Sequence, residues 1–510
     1  MGAHKWLDAA RDVDGTGEYY ALIAGKYIKA SSGQTIPAYK PQEPEAVASL
    51  VQACSAAEID AAFAAATAAQ KKWRCVPLWK RGVILKNAAQ YLRAAADEIA
   101  PVITAEVSKS IKAARDEVIR TVDLLEYTAE EAIRVLSVGE MVTSDAFPHN
   151  GRNKLSLVQR VPLGTITCIP PFNYPINLAG SKIGPALAAG NAAMVKPPSS
   201  GAASTASLCA AVHQALVDEF GPDSDILAVM SLVTGRGREI GDLLTTHPSA
   251  AATSFTGGST GISVAKKAGM IPMQMELGGN DPAVVAEDAD VALTVSQIVK
   301  GAFSYQGQRC TAVKVVFVVE SLYDEVVAKV ADKVAALTVG RPEDNSDIAA
   351  VISKSSADWI QSLFEDAVAK GGNAHAKTPW KRENNLIWPV VIENVSKDAT
   401  ITHEEQFGPI LPFVKVASVD EAIELANSCK FGLQASVFTK GAERAIQIAD
   451  RLEAGTVQIN GAPSRGPDNF PFQGTKESGI GSQGVKYSLL AMTKIKSTVI
   501  NLPEPSYSVA

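Results

Sequence analysis

The stretch "AATSFTGGSTGISVAKKAGMIPMQMELGG" (residues 251–279) decides the fold. It contains a short apolar run, a glycine-rich turn into a helical segment, and a second apolar run that ends in two glycines. The runs "AAMVKPP" and "LAVMSLVTG" repeat this pattern earlier in the chain. Strands that alternate with helices in this way form a parallel sheet covered by helices on both faces. We therefore predict an α/β fold for residues 161–279.

The segments on either side have other periodicities. From Ala46 to about Ala132, apolar residues recur every three or four positions, which predicts long helices. A predicted helix over residues 291–303, the loop around Cys310 and the strand "KVVFVVE" begin a second α/β alternation that continues to about Gly474. The segments "RNKLSLVQRVP" and "YSLLAMTKIKSTVINLPEPSY" are typical of strands exposed on one face, and we predict that they pair in a small third unit.

Composition narrows the class of protein. A chain of 510 residues is too long for one hydrophobic core, so two or three domains are expected. Apolar residues make up 46% and charged residues 20%, which is ordinary for a globular protein. The net charge of −6, without a long basic run, argues against a nucleic-acid partner. No window has about 18 uninterrupted apolar residues, so no membrane partner is expected.

Cysteine usage and the two ends of the chain bear on its compartment. The six cysteines are scattered without a repeated spacing, which argues against a disulfide framework or a metal site and fits a reducing compartment. The first residues lack a secretory pattern, and Trp6 does not fit the myristoylation pattern. The final "SVA" is not the peroxisomal signal. A cytoplasmic protein is expected.

A candidate nucleophile lies in "SYQGQRCTAVKVVFV" (residues 304–318). A free cysteine is usually a buried packing residue. Cys310, however, follows a polar, glycine-containing turn and stands directly after Arg309, and a nearby cation favours thiolate over thiol. Cys310 is therefore predicted to be reactive.

Two other motifs offer groups that covalent catalysis requires. Glu276 lies between Met275 and Leu277, where a carboxylate can be partly buried and act as a base; a glutamate at a strand end that faces solvent is the alternative. Asn173 lies in the apolar turn "PPFNYPIN", either as a turn-former or as a hydrogen-bond donor to an oxyanion.

Glycine-rich turns supply a weaker nucleotide signal. "LVTGRGREIG" contains Gly235, and "SFTGGSTGI" contains Gly257 and Ser259; both follow apolar runs and precede helical segments that could hold a pyrophosphate. Neither matches G-x-G-x-x-G, so tight strand-to-helix turns are an equal interpretation. Lys196 and Ser199 in "MVKPPSSG" add groups that could contact a ribose or a phosphate.

Taken together, these motifs resemble the aldehyde dehydrogenase superfamily. The resemblance covers nearly the whole chain in the order of the family, from "PPFNYPINLAGSKIGPALAAGN", "VKPPSS", "FTGGSTG" and "MELGGND" to "GQRC", "EEQFGP" and "NFPFQGTKESGIG". It implies that Cys310 is the nucleophile, that Glu276 is the general base, and that Asn173 and the backbone N–H of Cys310 form the oxyanion hole. Lys182 matches a lysine that is tied to proton transfer in some relatives.

The same resemblance implies a nicotinamide cofactor. Glu405 and Phe407 would hold the nicotinamide ribose and ring, and Lys196 the adenosine ribose. Ser199 stands where relatives that prefer NAD often carry a glutamate, so NADP is expected. In the implied reaction, Cys310 and the aldehyde form a thiohemiacetal, hydride transfer leaves a thioester, and water activated by Glu276 hydrolyses it.

Two positions depart from the pattern of the family. Asn280 stands where a lysine commonly follows "ELGG", and Gln406 replaces the proline of "EEPFGP". Both are expected to affect local geometry more than activity.

Arginines around the implied substrate mouth indicate an anionic aldehyde. Arg309 precedes the nucleophile, Arg465 lies in a flanking loop, Arg120 lies on a helix that lines the mouth in relatives, and Tyr174 adds a hydroxyl. Each arginine alone is more often a surface residue, but three together fit a phosphate dianion. The resemblance then implies NADP-dependent oxidation of glyceraldehyde 3-phosphate to 3-phosphoglycerate, a step of glycolysis, without inorganic phosphate. A carboxylate-bearing semialdehyde such as succinate semialdehyde, or an inactive binding protein, is the alternative.

The resemblance also implies a division of the chain. A Rossmann-type cofactor-binding domain is expected from residues 1–148 and 165–282, an α/β catalytic domain from 283–475, and a small β oligomerisation arm from 149–164 and 484–510. In relatives such an arm crosses to a neighbouring subunit and covers exposed sheet edges. A homotetramer built as a dimer of dimers is therefore expected.

Overall fold

The computed structural model describes residues 4–13 and 17–502. Its α-helices, in chain order, are α1 Lys5–Asp8, α2 Ala56–Trp73, α3 Leu78–Ala94, α4 Ala96–Val107, α5 Ile111–Leu136, α6 Asn177–Ala188, α7 Ala202–Phe220, α8 Gly237–Thr245, α9 Thr260–Lys267, α10 Val291–Phe303, α11 Glu320–Ala335, α12 Lys354–Ala369, α13 Val419–Ser428, α14 Ala442–Arg451 and α15 Val485–Ala491.

The β-strands, in the same order, are β1 Glu18–Tyr19, β2 Ala21–Ile23, β3 Lys26–Ile28, β4 Thr35–Lys40, β5 Glu43–Gln52, β6 Glu140–Thr143, β7 Lys154–Pro162, β8 Thr165–Ile169, β9 Ala192–Val195, β10 Met230–Leu232, β11 Ala250–Thr256, β12 Met273–Glu276, β13 Pro282–Val285, β14 Val315–Val319, β15 Asn373–Ala374, β16 Arg382–Glu383, β17 Leu386–Ile387, β18 Val390–Glu393, β19 Ile410–Val416, β20 Phe431–Gly432, β21 Gln434–Phe438, β22 Thr456–Ile459, β23 Thr475–Lys476, β24 Gly479–Ile480 and β25 Thr493–Asn501.

The first α/β alternation forms an eight-stranded sheet of order β24-β12-β11-β8-β9-β10-β2-β3. Its five central strands are parallel, as predicted for residues 161–279. From β8 the chain adds β9 and β10 on one side, and then β11 and β12 on the other. The strand order therefore reverses between β8 and β11. Open α/β sheets bind ligands outside the carboxyl ends of their strands at such a point.

Helices cover this sheet because its central strands are apolar on both faces. Every residue of β9 and β10 is buried, which is typical of parallel strands between two helical layers. Helices α2, α3, α6 and α7 contribute side chains to one core, among them Phe63 and Trp73 of α2 and Leu208 of α7. This core keeps the carboxyl ends of the strands in fixed positions relative to one another.

A second sheet has the order β15-β18-β19-β14-β13-β21-β22 and is parallel except at β15. Two apolar cores cover its two faces. The loop of Cys310 leads directly into β14, and the loop of Glu405 and Phe407 leads directly into β19. The amino ends of these strands therefore carry loops that meet residues from the carboxyl edge of the first sheet.

The third sheet, of order β25-β7-β6, is antiparallel. The predicted pairing of the tail strand with the strand over residues 155–161 is confirmed, with nine residue pairs from Thr493 opposite Pro162 to Asn501 opposite Lys154. Large apolar side chains remain exposed on it, including Met141 at 65% and Ile495 at 64%. These side chains form an uncovered apolar surface in the single chain.

Parts of the helix and strand prediction are wrong. The predicted helical region begins with a strand, β5, because the alternating residues before Gln52 pair with β4 and β1. The first residues of the predicted tail strand belong instead to helix α15. Val485 and Leu489 of this helix, and Met492 directly after it, pack in the core of the first sheet. A helical spacing of buried residues prevails there over β propensity.

Some elements cross the predicted domain boundaries. Strand β6, which belongs to the expected cofactor-binding domain, pairs with β7 of the expected arm. Strand β24, which lies between the predicted catalytic domain and the arm, pairs with β12 of the first sheet. Residues 503–510 of the expected arm lie outside the described residues. The division into three domains stays a prediction. Within residues 4–13 and 17–502, no helix combines the length and the apolar character needed to cross a membrane.

Candidate active site

The nucleophile predicted from sequence faces the predicted base. Cys310 lies in the loop between α10 and β14 and is partly buried. Its Sγ–H donates to Glu276 Oε1 at 3.3 Å. Glu276 is the last residue of β12, so the two groups come from opposite sheets. The alternative of a solvent-facing glutamate is wrong, because only 2% of Glu276 is exposed.

The surroundings of Cys310 favour the thiol over the thiolate. Burial raises its pKa well above the usual value, and the adjacent Glu276 carboxylate raises it further, by its charge and as a hydrogen-bond acceptor. The positive charges of Lys314 and Arg465 lower the pKa in part. Cys310 therefore needs a proton acceptor, and Glu276 is in contact with it.

Arg309 does not have the electrostatic role that the sequence suggested. The cations that lower the pKa of Cys310 are Lys314 and Arg465. Arg309 Nη2 instead donates to the backbone carbonyl of Gly301 at 2.6 Å. The neighbour in sequence is therefore not the cation that favours thiolate.

Glu276 is also tied to Arg465 and to a buried lysine. Arg465 Nη1 forms an ion pair with Glu276 Oε2. Thr256 Oγ1 donates to the same oxygen at 3.3 Å and accepts from Lys182 Nζ at 2.7 Å. Burial lowers the pKa of Lys182 to about 8, so this lysine can exchange a proton near neutral pH. A polar chain thus leads from Cys310 through Glu276 and Thr256 to Lys182.

Asn173 lies beside the nucleophile loop. Its Nδ2 donates to the carbonyl of Gln308 at 2.9 Å, and a side-chain amide carries a second N–H. The carbonyl of Asn173 accepts from Lys109 Nζ at 2.8 Å, and Lys109 is ion-paired with the buried Glu117. Asn173 is thereby held beside the nucleophile loop, and one N–H of its amide is not used in the bond to Gln308.

Two residues that the sequence analysis did not single out support this centre. Lys314 is 1% exposed, and its Nζ donates to Glu405 Oε1 at 3.0 Å and to the carbonyls of Arg309 at 3.0 Å and Cys310 at 3.2 Å. Glu117 accepts from the backbone N–H groups of Ile176 and Asn177. A lysine four residues after the cysteine was the available signal for Lys314.

The two departures from the family pattern differ in their contacts. Gln406 is buried, and its Nε2 donates to the carbonyls of Lys314 at 2.9 Å and Ile410 at 3.0 Å. The first bond links the loop of Glu405 to the residue just before β14, and the second links it to the start of its own strand, β19. Asn280 is also buried, directly after the Gly278–Gly279 pair.

The three predicted anion-binding arginines occupy different environments. Arg120 pairs with Asp468 through two hydrogen bonds, at 2.8 and 2.9 Å, and also donates to the carbonyl of Arg465. Arg465 pairs with Glu276. In the part of the chain that the structure describes, Arg309 has no carboxylate partner, and its buried Nε has no hydrogen-bond acceptor. Arg309 is therefore the one of these three guanidinium groups that forms no ion pair with a described carboxylate, although its charge acts at longer range on the buried Asp281.

Tyr174, the fourth predicted substrate contact, adjoins this cluster. Lys109 Nζ lies 3.7 Å from the centre of its ring, and the Tyr305 ring packs edge-on against it. Burial lowers the pKa of Arg120, but Asp468 raises it through hydrogen bonds and charge. The nearby Tyr174 raises it further, by a smaller amount. Tyr174 thus lies between the Asn173 turn and Arg120.

A cavity of about 250 Å³ opens onto Cys310. It is lined by residues of both sheets: Pro171, Phe172, Asn173, Thr256, Gly257, Gly258, Leu277, Gly278, Cys310, Glu405 and Phe407. Two of its glycines have no room for a side chain: a Cβ on Gly278 would lie 2.6 Å from Glu405 Oε2, and one on Gly257 would lie 2.8 Å from the Phe255 ring. The packing of Glu405 and Phe255 against the backbone at the cavity therefore requires glycine at these two positions.

The remaining predicted cofactor residues lie along the carboxyl edge of the first sheet. Lys196 follows β9, is buried, and donates to the carbonyl of Pro197. Burial lowers its pKa to about 8, and an anionic ligand would raise it again by favouring the charged form. Ser199 is exposed, Gly235 lies between β10 and α8, and Ser259 precedes α9. The donors and the glycine surfaces fit a dinucleotide that carries a 2′-phosphate.

Comparison with known proteins relates this arrangement to a family. The model of the aldehyde dehydrogenase family matches residues 27–498. An NADP-dependent glyceraldehyde-3-phosphate dehydrogenase from Arabidopsis thaliana is 51% identical over 494 residues, which cover 97% of both chains. A protein of the same name from Streptococcus equinus is 44% identical over 96% of this chain and 99% of its own.

A solved structure shares the fold over almost the whole chain. The crystal structure of NADP-dependent glyceraldehyde-3-phosphate dehydrogenase from Bacillus halodurans C-125, in complex with NADP, superposes with a TM-score of 0.90 at 44% identity. The match covers 95% of this chain and 99% of that one.

Proposed function

Because the chain belongs to the aldehyde dehydrogenase family, we propose that it oxidises D-glyceraldehyde 3-phosphate to 3-phosphoglycerate with NADP and water, without inorganic phosphate. The observation that carries the proposal is the row of contacts Cys310–Glu276–Arg465. It combines a nucleophile, a base and a guanidinium at one end of the cavity. The similar proteins named above are dehydrogenases of this phosphorylated aldehyde.

The proposed reaction begins with proton transfer from Cys310 to Glu276 and addition of the sulfur to the aldehyde carbon. The alkoxide accepts hydrogen bonds from the second N–H of Asn173 and from the backbone N–H of Cys310. NADP, when bound, takes up the hydride of this carbon. Because Glu276 must lose the first proton before it can accept another, Thr256 and Lys182 provide a path for it.

Hydrolysis then regenerates the nucleophile. Glu276 takes a proton from water, the hydroxide adds to the thioester carbon, and the C–S bond breaks with Cys310 leaving as a thiolate. The product is a carboxylate, and no phosphate ion enters the reaction. A water nucleophile and a stable carboxylate product make the oxidation irreversible in practice.

The cofactor is held by groups from both sheets in this proposal. Glu405 contacts the nicotinamide ribose and Phe407 the ring, while Lys196 and Ser199 contact the adenosine ribose and its 2′-phosphate. Gly235, Gly257 and Ser259 let the backbone approach the pyrophosphate at the starts of α8 and α9. The absence of a carboxylate at position 199 favours NADP, since a carboxylate there would repel the 2′-phosphate.

The substrate phosphate is held by Arg309, Arg465 and Arg120, with Tyr174 as a further donor. A guanidinium binds phosphate through two parallel N–H groups, and Arg309, which forms no ion pair with a described carboxylate, would turn its guanidinium toward the phosphate to make such bonds. A semialdehyde carboxylate would bring one negative charge and the substrate phosphate two, and the similar proteins named above are dehydrogenases of the phosphorylated aldehyde.

One absorbance assay tests the proposal. NADPH formation is followed with glyceraldehyde 3-phosphate in the absence of inorganic phosphate, and compared with succinate semialdehyde and with NAD. We expect kcat/KM to be highest for glyceraldehyde 3-phosphate with NADP. A higher value for succinate semialdehyde would assign the alternative substrate, and no turnover with any pair would assign a binding role.

Assembly and location complete the proposal. The exposed apolar side chains of β6 and β25 support a homotetramer in which the arm reaches a neighbouring subunit. Sedimentation of a monomer at micromolar concentration would contradict it. Oxidation of a glycolytic intermediate is consistent with a cytoplasmic enzyme, which cell fractionation can test.

A further inference from the structure

Arg465 has two possible partners in the proposed reaction. The side chain of Arg465 is 11% exposed, and its Nη1 pairs with Glu276 Oε2. Its Nη2 donates to Gln483, and its guanidinium lies over the ring of Phe472. The same guanidinium is expected to bind the substrate phosphate. A guanidinium that holds one carboxylate oxygen occupies an atom that could otherwise accept a proton or a hydrogen bond from water.

The charges around the mouth indicate that these two contacts compete. A phosphate dianion brings two negative charges, whereas Arg309 offers a single positive charge, which forms no ion pair within residues 4–13 and 17–502. Arg120 and Arg465 are already neutralised, by Asp468 and Glu276 respectively. Binding the dianion in this partly buried place therefore draws at least one of these two arginines away from its carboxylate.

Arg465 is the arginine that is easier to release. Arg120 holds Asp468 in a two-bond fork, which is the stronger geometry for a guanidinium and a carboxylate. Arg465 contacts Glu276 through Nη1 alone, and its Nε lies 4.0 Å from Asp468 Oδ1. The nearby Asp468 can accept part of its charge after it leaves the base.

We propose that the phosphate group of the substrate draws Arg465 away from Glu276, so that occupation of the phosphate site frees the base. Arg465 is then a positioning residue that acts through Glu276, in addition to holding the phosphate. The inference rests on the proposed substrate. The proposed release of Glu276 would make the enzyme prefer phosphorylated aldehydes in kcat as well as in binding. An aldehyde without phosphate binds less tightly and also leaves Glu276 paired with Arg465.

An ester assay isolates the step that the proposal concerns. With p-nitrophenyl acetate and no NADP, Cys310 attacks the acetyl carbonyl, the C–O bond breaks and p-nitrophenolate leaves in a burst. Water then loses a proton to Glu276, the hydroxide adds to the acetyl thioester, the C–S bond breaks, and acetate and the thiolate are released. Phosphite dianion, added at constant ionic strength with sodium chloride, occupies the phosphate site without being attached to the acyl group.

We expect phosphite to accelerate the slow hydrolysis phase of the wild-type protein in a saturable way, by about tenfold or more, since a positioned base contributes 10²–10⁴-fold. In Arg465→Leu the response is lost. In Arg309→Leu more phosphite is needed for half of the effect, but the maximal acceleration remains, because Arg309 does not contact Glu276. Arg451→Leu is the matched control: Arg451 pairs with Asp420 on the surface, and its loss leaves the response unchanged.

The outcomes separate this inference from the proposed function. Absence of a saturable phosphite effect in the wild type, together with a preference for glyceraldehyde 3-phosphate in KM, overturns the coupling and leaves the substrate assignment intact. An equal maximal acceleration in Arg465→Leu also overturns it. The wild-type measurement requires no variant to fold, so the test stands if Arg465→Leu is unstable.

Discussion

Replacing Arg309 by leucine gives the sharpest test of the phosphate site. Arg309 has no carboxylate partner in the described part of the chain, and its Nε is buried without an acceptor. Its removal therefore takes away a binding charge without breaking an ion pair in the described residues, although the buried Asp281 loses a favourable charge at longer range. The change in substrate affinity should reflect the phosphate contact itself.

The expected magnitude follows from the burial of the side chain. Truncating one partner of a buried charged pair costs about 2–5 kcal/mol, and Arg309, which is only partly buried, belongs at the lower end, about 2–3 kcal/mol. At 1.4 kcal/mol for each factor of ten, KM for glyceraldehyde 3-phosphate should rise by about 30–150-fold. Unphosphorylated glyceraldehyde brings no charge, so its kcat/KM should change little.

Steady-state kinetics with both aldehydes at saturating NADP measure this difference. Arg309→Lys is the matched control, because it keeps the charge and loses the planar fork, and it should cost less than leucine. An unchanged KM for the phosphorylated aldehyde in Arg309→Leu would put the phosphate elsewhere. Equal slowing of both aldehydes would mean that Arg309 acts on Cys310, which the contacts of its side chain do not indicate.

Four further results are expected. Cys310→Ser should abolish NADPH formation while NADP binding, measured by fluorescence, persists, because a neutral hydroxyl is a poor nucleophile without a strong base. Glu276→Gln should slow the first turnover and then stall after about one NADPH per site, because the amide accepts a proton neither from Cys310 nor from water. It should also speed alkylation of Cys310 by iodoacetamide near pH 8, because the carboxylate, in addition to burial, raises the pKa of that thiol. Lys314→Met should slow the same alkylation, because the lysine charge lowers the pKa of Cys310, and should raise KM for NADP through loss of its contact with Glu405; unchanged values for both would deny Lys314 a role beyond packing. Ser199→Glu should weaken NADP more than NAD, and equal weakening would show that this position does not read the 2′-phosphate.

Patterns with a strong local cause were predictable from the sequence. The parallel sheet followed from apolar runs separated by glycine turns, and helix α10 has the predicted bounds. Strand β5 was missed because alternating residues next to a long helical region were assigned to the helix. Helix α15 was missed because its buried face becomes evident only from its packing on α5 and α6. Both errors occurred where tertiary contacts prevail over local propensity.

The site shows a similar division. Motifs identified Cys310, Glu276 and Asn173, whose side chains the fold brings together. The partners of the arginines could not be predicted, since Arg465 and Glu276 are separated by 189 residues in sequence. Proximity in sequence was misleading for Arg309, because a side chain adjacent to Cys310 can point to another partner, in this case the Gly301 carbonyl.

The backbone around the nucleophile shows how the two sheets cooperate. Tyr305 and Gln306 have left-handed conformations, with φ of 54° and 53°, and such conformations cost about 1–2 kcal/mol for each residue other than glycine. Tyr305 Oη donates to the carbonyl of Val107 at 2.9 Å, and Gln306 Nε2 donates to that of Ser108 at 3.0 Å. These acceptors lie at the end of α4, in the part of the molecule built around the first sheet. The strained turn before Cys310 is thus held by the same body that carries Glu276 and Asn173, so the distance between nucleophile and base depends on contacts across the interface of the two sheets and not on the cysteine loop alone.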